Sequence, residues 1–168
     1  MLRLRHALAS VLLSSAGLAF AVSPATTQEA AEGYARASAG TRWLEPEAPG
    51  GPRLKVLVEP SVLGGAEVAV AEIEFASGSG PLPRPHRHGS VEVFYVLSGV
   101  LDHVVNGESH LLTPGMVGVV RPGDDVVHGV RSHEPVRALV IWAPGDEVDR
   151  IAPLFRERPV GESRPAGG

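Results

Sequence analysis

Residues 80–99 read GPLPRPHRHGSVEVFYVLSG, with two histidines and a glutamate held between two glycines. Two readings compete: a polar loop running into an ordinary strand, or three ligands of a metal site. His86 and His88 are two residues apart, and in an extended strand that spacing puts both side chains on one face. Their Cβ atoms are then roughly 6–7 Å apart, close enough for both imidazoles to converge on one ion. Glu92 has the same parity but follows the Gly89-Ser90 break, so strand periodicity alone does not place it with them. If Glu92 faces a core, its carboxylate needs a cation or strong donors; if it faces water, its valine neighbours face in. One strand cannot surround an ion, so a further donor has to come from elsewhere. His128, in the later run VVHGV, can supply it if the sheet curls.

The rest of the chain supports a curled sheet. With 168 residues, 43% hydrophobic and 20% charged, there is enough chain for one globular domain with a real core, whereas two would be cramped. Twenty glycines and fifteen prolines favour short strands over long helices. From Leu54 the sequence turns β-rich: in AEVAVAEIEF, Ala69, Ala71, Ile73 and Phe75 alternate with Val68, Val70, Glu72 and Glu74. Turn signals then recur at Gly64-Gly65, Gly78 to Gly80, Ser98-Gly99, Asn106-Gly107, Pro114-Gly115 and Pro122-Gly123. Seven or more short strands so spaced predict an all-β sandwich or small barrel. Asn106-Gly107 is a hairpin signal, because both central residues of a type I′ turn need positive φ. Phe94, Val96, Leu101, Met116, Val119, Val126, Ile141 and Trp142 are the candidates for core or cavity lining. Tyr95 alternates away from Phe94 and Val96 toward an outer face suited to dimer packing.

The ends read differently. Arg3 and Arg5, the apolar run Ala7 to Ala21 and the small residues Ala19 and Ala21 predict a signal peptide over 1–21, with a second candidate cut after Ala25. Export to the periplasm or beyond the cell is the expectation, with no stable membrane insertion after cleavage, since the run is short and alanine-rich for a membrane span. Residues 22–53 form an N-terminal leader or arm, with a short helix over Gln28–Ala39 and with Trp43 and Leu44 docked. The barrel then occupies 54–145, and 146–168 supply a C-terminal cover followed by a fraying tail from Arg156. Loss of Arg3 and Arg5 takes the formal charge from −4 to −6, so neither nucleic acid nor an anionic membrane is an expected partner. The chain has no cysteine, which excludes disulfides, thiolate ligands and a cysteine nucleophile, and leaves nitrogen and oxygen to hold any metal.

The spacing of Gly80, His86, His88, Glu92 and Gly99 resembles the complete first motif of the cupin superfamily. GMVGVVRPGDDVVHGVRS, residues 115–132, resembles the second, with His128 at the histidine position. It departs in having Ser132 where asparagine is usual, adjacent Pro122 and Gly123, and about two extra residues near Asp124-Asp125. EPVRALVIWAPG, residues 134–145, resembles the closing strand. The likeness covers roughly Leu54 to Gly145 and implies a cupin-like jelly-roll β-barrel, often dimeric, with His86, His88, Glu92 and His128 as ligands of one divalent transition metal.

Three imidazoles and a carboxylate suit Fe, Mn, Ni, Co, Zn or Cu, and in an octahedral shell they leave two positions open. A tetrahedral zinc would be saturated and structural. His103 shares a face with Leu101 and Val105, so it points inward either as a satisfied core histidine or as a proton-transferring group beside the metal; Glu92 is the second candidate catalytic residue. His110 has a weaker claim, and His133 lies beside Glu134-Pro135 in a solvated turn. With no arginine cluster demanding a phosphate, a small, weakly charged organic molecule is the expected partner, alongside a second copy of the chain. The leading expectation is a metal-dependent enzyme such as a dioxygenase. The alternatives are a cupin isomerase or decarboxylase, a non-catalytic cupin that binds a small molecule or metal, and a structural protein.

Overall fold

The computed structural model describes residues 39–78 and 84–161. The expected signal peptide and all but the last residue of the expected 28–39 helix lie outside them. Ten strands follow in chain order: β1 (Arg42–Pro46), β2 (Arg53–Val58), β3 (Ala69–Phe75), β4 (Val91–Ser98), β5 (Leu101–Val105), β6 (Glu108–Leu112), β7 (Val117–Val120), β8 (Val126–Val130), β9 (Val136–Ala143) and β10 (Phe155–Pro159). Two short helices, α1 (Pro60–Leu63) and α2 (Glu147–Ile151), and a 3₁₀ turn over Ala152–Leu154 complete the order. The strands pair into a seven-stranded sheet, β10-β1-β2-β3-β9-β4-β7, and a three-stranded sheet, β6-β5-β8, an all-β jelly-roll barrel.

Side-chain parity sets the interior. Ala69, Ala71, Ile73 and Phe75 of β3 face in, as do Val136, Ala138, Val140 and Trp142 of β9. On β4 the inward set is Glu92, Phe94 and Val96, so the period that buries Phe94 also buries the Glu92 carboxylate. Asn106 (φ 51°) and Gly107 (φ 84°) make the expected turn between β5 and β6, with Val105 paired to Glu108 across it. On β1, Leu44 is fully buried while Trp43 lies outside beneath the guanidinium groups of Arg53 and Arg158, 4.9 and 5.6 Å from its ring centroid.

Two expectations need correction. Met116, Val119 and Ile141 are not core residues: Met116 is 44% exposed in the turn that precedes β7, Val119 is 50% exposed because Gly118 and Val120 take the inward positions of edge strand β7, and Ile141 lies on the outer side of β9 between inward Val140 and Trp142. The stretch from Arg156 does not fray at its start, since residues 155–159 form β10 and pair antiparallel with the whole of β1. Opposite charges help to hold that pairing, with Arg42 bonded to Glu157 at 3.0 Å and Arg158 to Glu45 at 3.1 Å.

Gly118 matters through close approach. A Cβ there would lie 2.6 Å from Leu112 Cδ1 and 2.7 Å from His103 Nδ1, both on buried side chains. Gly118→Ala is expected to cost about 1–3 kcal/mol of stability through overpacking. The urea midpoint reads this; an unchanged midpoint would mean that β7 yields freely.

Candidate metal centre

Four elements deliver the polar groups to one place. His86 forms an isolated bridge to Val126 at the start of β8, with His86 N–H donating to the Val126 carbonyl at 3.0 Å and Val126 N–H returning the bond at 2.9 Å. His88 follows on the same extended stretch, and Gly123 N–H caps its carbonyl at 3.2 Å. Glu92 opens the inward row of β4, while His128 lies on β8 opposite His103 of β5.

The groups converge. His88 Nε2 is 3.3 Å from Glu92 Oε1, and His128 Nε2 is 3.8 Å from Glu92 Oε2. The His86 ring is centred 4.9 Å from that of His88 and 5.4 Å from that of His128. Ligand atoms of Glu92, His103 and His128 all lie within 4.8 Å of one another, a buried group that could hold a metal ion. The structure thus brings together His86, His88, Glu92 and His128, and sets His103 against them, its ring stacked on His128 at 5.3 Å. His110 and His133 are exposed; His110 lines a separate polar recess of about 420 Å³ whose inner wall is His103.

A metal's fit to this cluster is tested by the atoms left without partners. His88 Nε2, Glu92 Oε2, His103 Nε2 and His128 Nε2 are all buried and make no hydrogen bond. A buried polar atom left unpaired costs about 1–3 kcal/mol, so four in one cluster is an arrangement that a shared cation relieves. The donor set also fits: imidazole nitrogen and carboxylate oxygen suit divalent transition metals.

Two partners of the cluster escaped the sequence reading. Trp142, placed there only as a lining residue, donates its Nε1–H to Glu92 Oε1 at 2.9 Å and so fixes which carboxylate oxygen stays free. Glu147, 2% exposed on α2, lies 2.8 Å from His88 Nδ1 through its Oε1. A carboxylate can only accept, so Nδ1 carries the proton and Nε2 is turned toward the cluster, the usual way a carboxylate orients a metal-ligating imidazole. Glu147 Oε2 also accepts from Gly89 N–H (3.0 Å), Ser90 Oγ (3.4 Å) and Arg150 Nε (3.1 Å). No sequence signal marks Glu147, which stands in the acid-rich run GDEVD at the start of the expected C-terminal cover.

Electrostatics follow from burial and neighbours. Burial drives His128 down from 6.5 to about 3 against the pull of Glu92. It also lowers His103 and His86, so these three imidazoles stay neutral with lone pairs available. On His88 burial is outweighed by Glu92 and Glu147, which together raise it. Burial would raise Glu92, but His88, His128 and the Trp142 N–H hold it below the usual carboxylate range. Glu147 is held low in the same way by His88 and Arg150.

The departures from the second motif are structural. Ser132 Oγ accepts from Val100 N–H at 3.0 Å and donates to the Glu134 carbonyl at 2.8 Å, so it braces a turn. The longer loop is pinned at the rim, where Asn106 Nδ2 donates to Asp124 Oδ1 at 2.8 Å and Arg87 pairs with Asp125 at 2.7 Å. Arg87 therefore points away from the two histidines that flank it.

A pH dependence follows for chelator-treated protein. An imidazole kept neutral in the fold but free to protonate when unfolded makes the unfolded chain the better proton acceptor, so stability falls with added acid. His128 contributes this loss between about pH 6.5 and 3, and His86 and His103 act in the same direction. His88 opposes it, since its raised value stabilises the fold below about 6.5 and fades as the pH climbs through the folded value. The sum is a falling urea midpoint below pH 6.5, with a shallower fall in His128→Asn. Equal slopes in the two proteins would refute the assignment to His128.

Residues 71–142 match the family model of the cupin domain. No curated protein matches the chain. Among solved structures, an RmlC-like cupin from Shewanella frigidimarina is 23% identical, with 62% of this chain and 85% of that one covered at a TM-score of 0.51. KdgF from a Halomonas species is 18% identical, covering 60% and 86% at 0.50. The cupin domain of Schizosaccharomyces pombe Cnp3 is 19% identical, covering 59% and 69% at 0.50. At such identities the likeness is one of fold. The match over residues 71–142 and the shared architecture agree with the all-β, cupin-like jelly-roll barrel into which the described residues fold.

Proposed function

We propose that the protein is an exported metal-dependent enzyme acting on a small, weakly charged organic molecule, with a dioxygenase as the leading reading and an isomerase or decarboxylase as alternatives that the same site accommodates. The observation that carries the metal is the set of four buried, unpartnered donor atoms on His88, Glu92, His103 and His128. In this reading His86, His88, Glu92 and His128 hold one divalent transition metal. A metal so bound supplies Lewis-acid activation at the coordination positions the protein leaves open.

The chain's own residues do the rest. Trp142 holds Glu92 by one oxygen, and Glu147 holds His88 by Nδ1, so neither ligand is free to turn away. His103 Nε2, without a protein partner, stands beside Glu92 and His128 where it can hold a proton against a ligand oxygen. The cavity above the donors has about 260 Å³ and an apolar wall that includes Ile73, Phe75 and Phe94, a surface suited to the apolar part of a ligand.

A second reading, a non-catalytic protein that stores metal or captures a ligand, draws on the number of donors. Five groups converge where four would saturate a tetrahedral ion, and a saturated ion has no position for substrate. A homodimer belongs to the proposal as well. Tyr95 (41% exposed), Val117 (54%) and Val119 (50%) lie on the outer side of paired strands β4 and β7, an apolar face suited to a second copy.

Protein purified without added metal or chelating resin should carry about one transition-metal ion per chain by elemental analysis. His88→Ala and Glu92→Ala should each lose most of it, with a lower Tm in metal-replete buffer; full occupancy in either variant would refute the ligand set. A redox metal whose spectrum responds to enolic or phenolic ligands favours the enzyme, and tightly held zinc unmoved by them favours the binding protein. Light scattering should give a dimer for wild type and a monomer for Tyr95→Glu/Val117→Glu. A monomeric wild type would remove the dimer.

A further inference from the structure

The cavity is walled on one side by chain outside the family match. The matched segment ends at residue 142, whereas Ile151, Leu154 and Phe155 line the cavity and Glu147 holds His88. This wall is built in. Val148 and Ala152 are buried in the core, β10 is zipped to β1, and Arg150 reaches back to the Arg87 carbonyl at 3.3 Å. Leu154, 71% exposed, stands at the mouth.

The lining is polar only at its floor. Apart from His86, His88, Glu92 and His128, every lining residue is apolar or proline, and the one side-chain N–H among them, on Trp142, is already given to Glu92. A sugar or nucleotide would bury hydroxyls with nothing to pair them, at about 1–3 kcal/mol each. A molecule with one oxygen-bearing end leaves nothing unpaired, because the donors and their ion take that end and the wall takes the rest.

We propose that Glu147–Phe155 is the specificity-determining wall of the site. It admits a small molecule with a carboxylate or enolic oxygen at one end and an apolar chain that runs out along Ile151, Phe155 and Leu154. Glu147 is a positioning residue, acting on the floor through His88, while Leu154 sets how much chain is covered. This rests on the metal reading for the polar end alone; the apolar end depends on the wall.

The two parts can be separated by calorimetry. Straight-chain carboxylates from propionate to octanoate are titrated into metal-loaded protein, and the matching 1-alkanols into metal-free protein. In wild type, affinity should rise roughly fourfold per added methylene until the chain passes Leu154, then level off. Leu154→Trp, at an exposed position that the fold tolerates, should change the chain length at which the rise stops in both series. Glu147→Gln should keep the length dependence and weaken metal binding by about 10- to 100-fold. No binding, a flat series, or the same profile in wild type and Leu154→Trp would overturn the wall. If the protein takes up no metal, the proposed function fails, and the alkanol series alone still decides the wall. If metal binds with ordinary affinity in Glu147→Gln, the positioning role is wrong.

Discussion

Glu92 lies between the two sheets at 2% exposure, with one oxygen bound by Trp142 and the other bound by nothing. A lone carboxylate in such a place is strongly penalised, so its surroundings must bring positive charge to it. They do so in series. Arg150 neutralises Glu147, Glu147 and Glu92 share His88 between them, and His88 is raised as a result. In the proposed reading a divalent ion held by His86, His88, Glu92 and His128 would supply that positive charge, with the neutral imidazoles of His86 and His128 ready to bind it. The neutral state of these imidazoles comes from burial in the same apolar cavity that would receive a ligand. Cavity and donor set are therefore one physical object.

The barrel makes this possible by joining strands far apart in sequence. The β5–β8 pairing sets His103 opposite His128, and the His86–Val126 bridge brings the first histidine to the same end of β8. Gly118 leaves the space that the His103 ring occupies. Each contact is non-local, so none of the donors is in place until the sheets close.

Much of this was legible in the residues. Alternation in AEVAVAEIEF gave the inward face of β3, and Asn106-Gly107 gave the hairpin, because both are dictated by neighbours in sequence. The spacing of His86, His88, Glu92 and His128 marked four groups that the fold brings together, and His103 points inward as its parity with Leu101 suggests. What escaped depended on phase or distance. Val119 was misjudged because VGVV reads equally well in either phase, and Gly118 decides it by being the only one of the four small enough to sit against His103, while Met116 was misjudged because it belongs to the turn before the strand. β10 was missed because its partner β1 lies more than a hundred residues away and RERP has no apolar alternation of its own. Glu147 was missed for a related reason: a buried carboxylate and a solvated one look alike in sequence, and only the return of α2 over Gly89 separates them.

The placement of these missed residues has a physical meaning. The donor-bearing strands must keep their register, since a one-residue slip would turn Glu92 outward and dismantle the cluster. The segment after β9 carries no such burden except at Glu147. Its other cavity-facing residues, Ile151, Leu154 and Phe155, touch the ligand space but no donor hydrogen bond, so changes in their size alter what fits without disturbing what holds an ion. Selectivity is then concentrated in a short stretch anchored at Val148 and Ala152, while the chemistry stays with the barrel. Glu147 is the exception that joins the two: any change in the wall that moves the first turn of α2 also moves the acceptor for His88 Nδ1, and the floor of the cavity responds to its side.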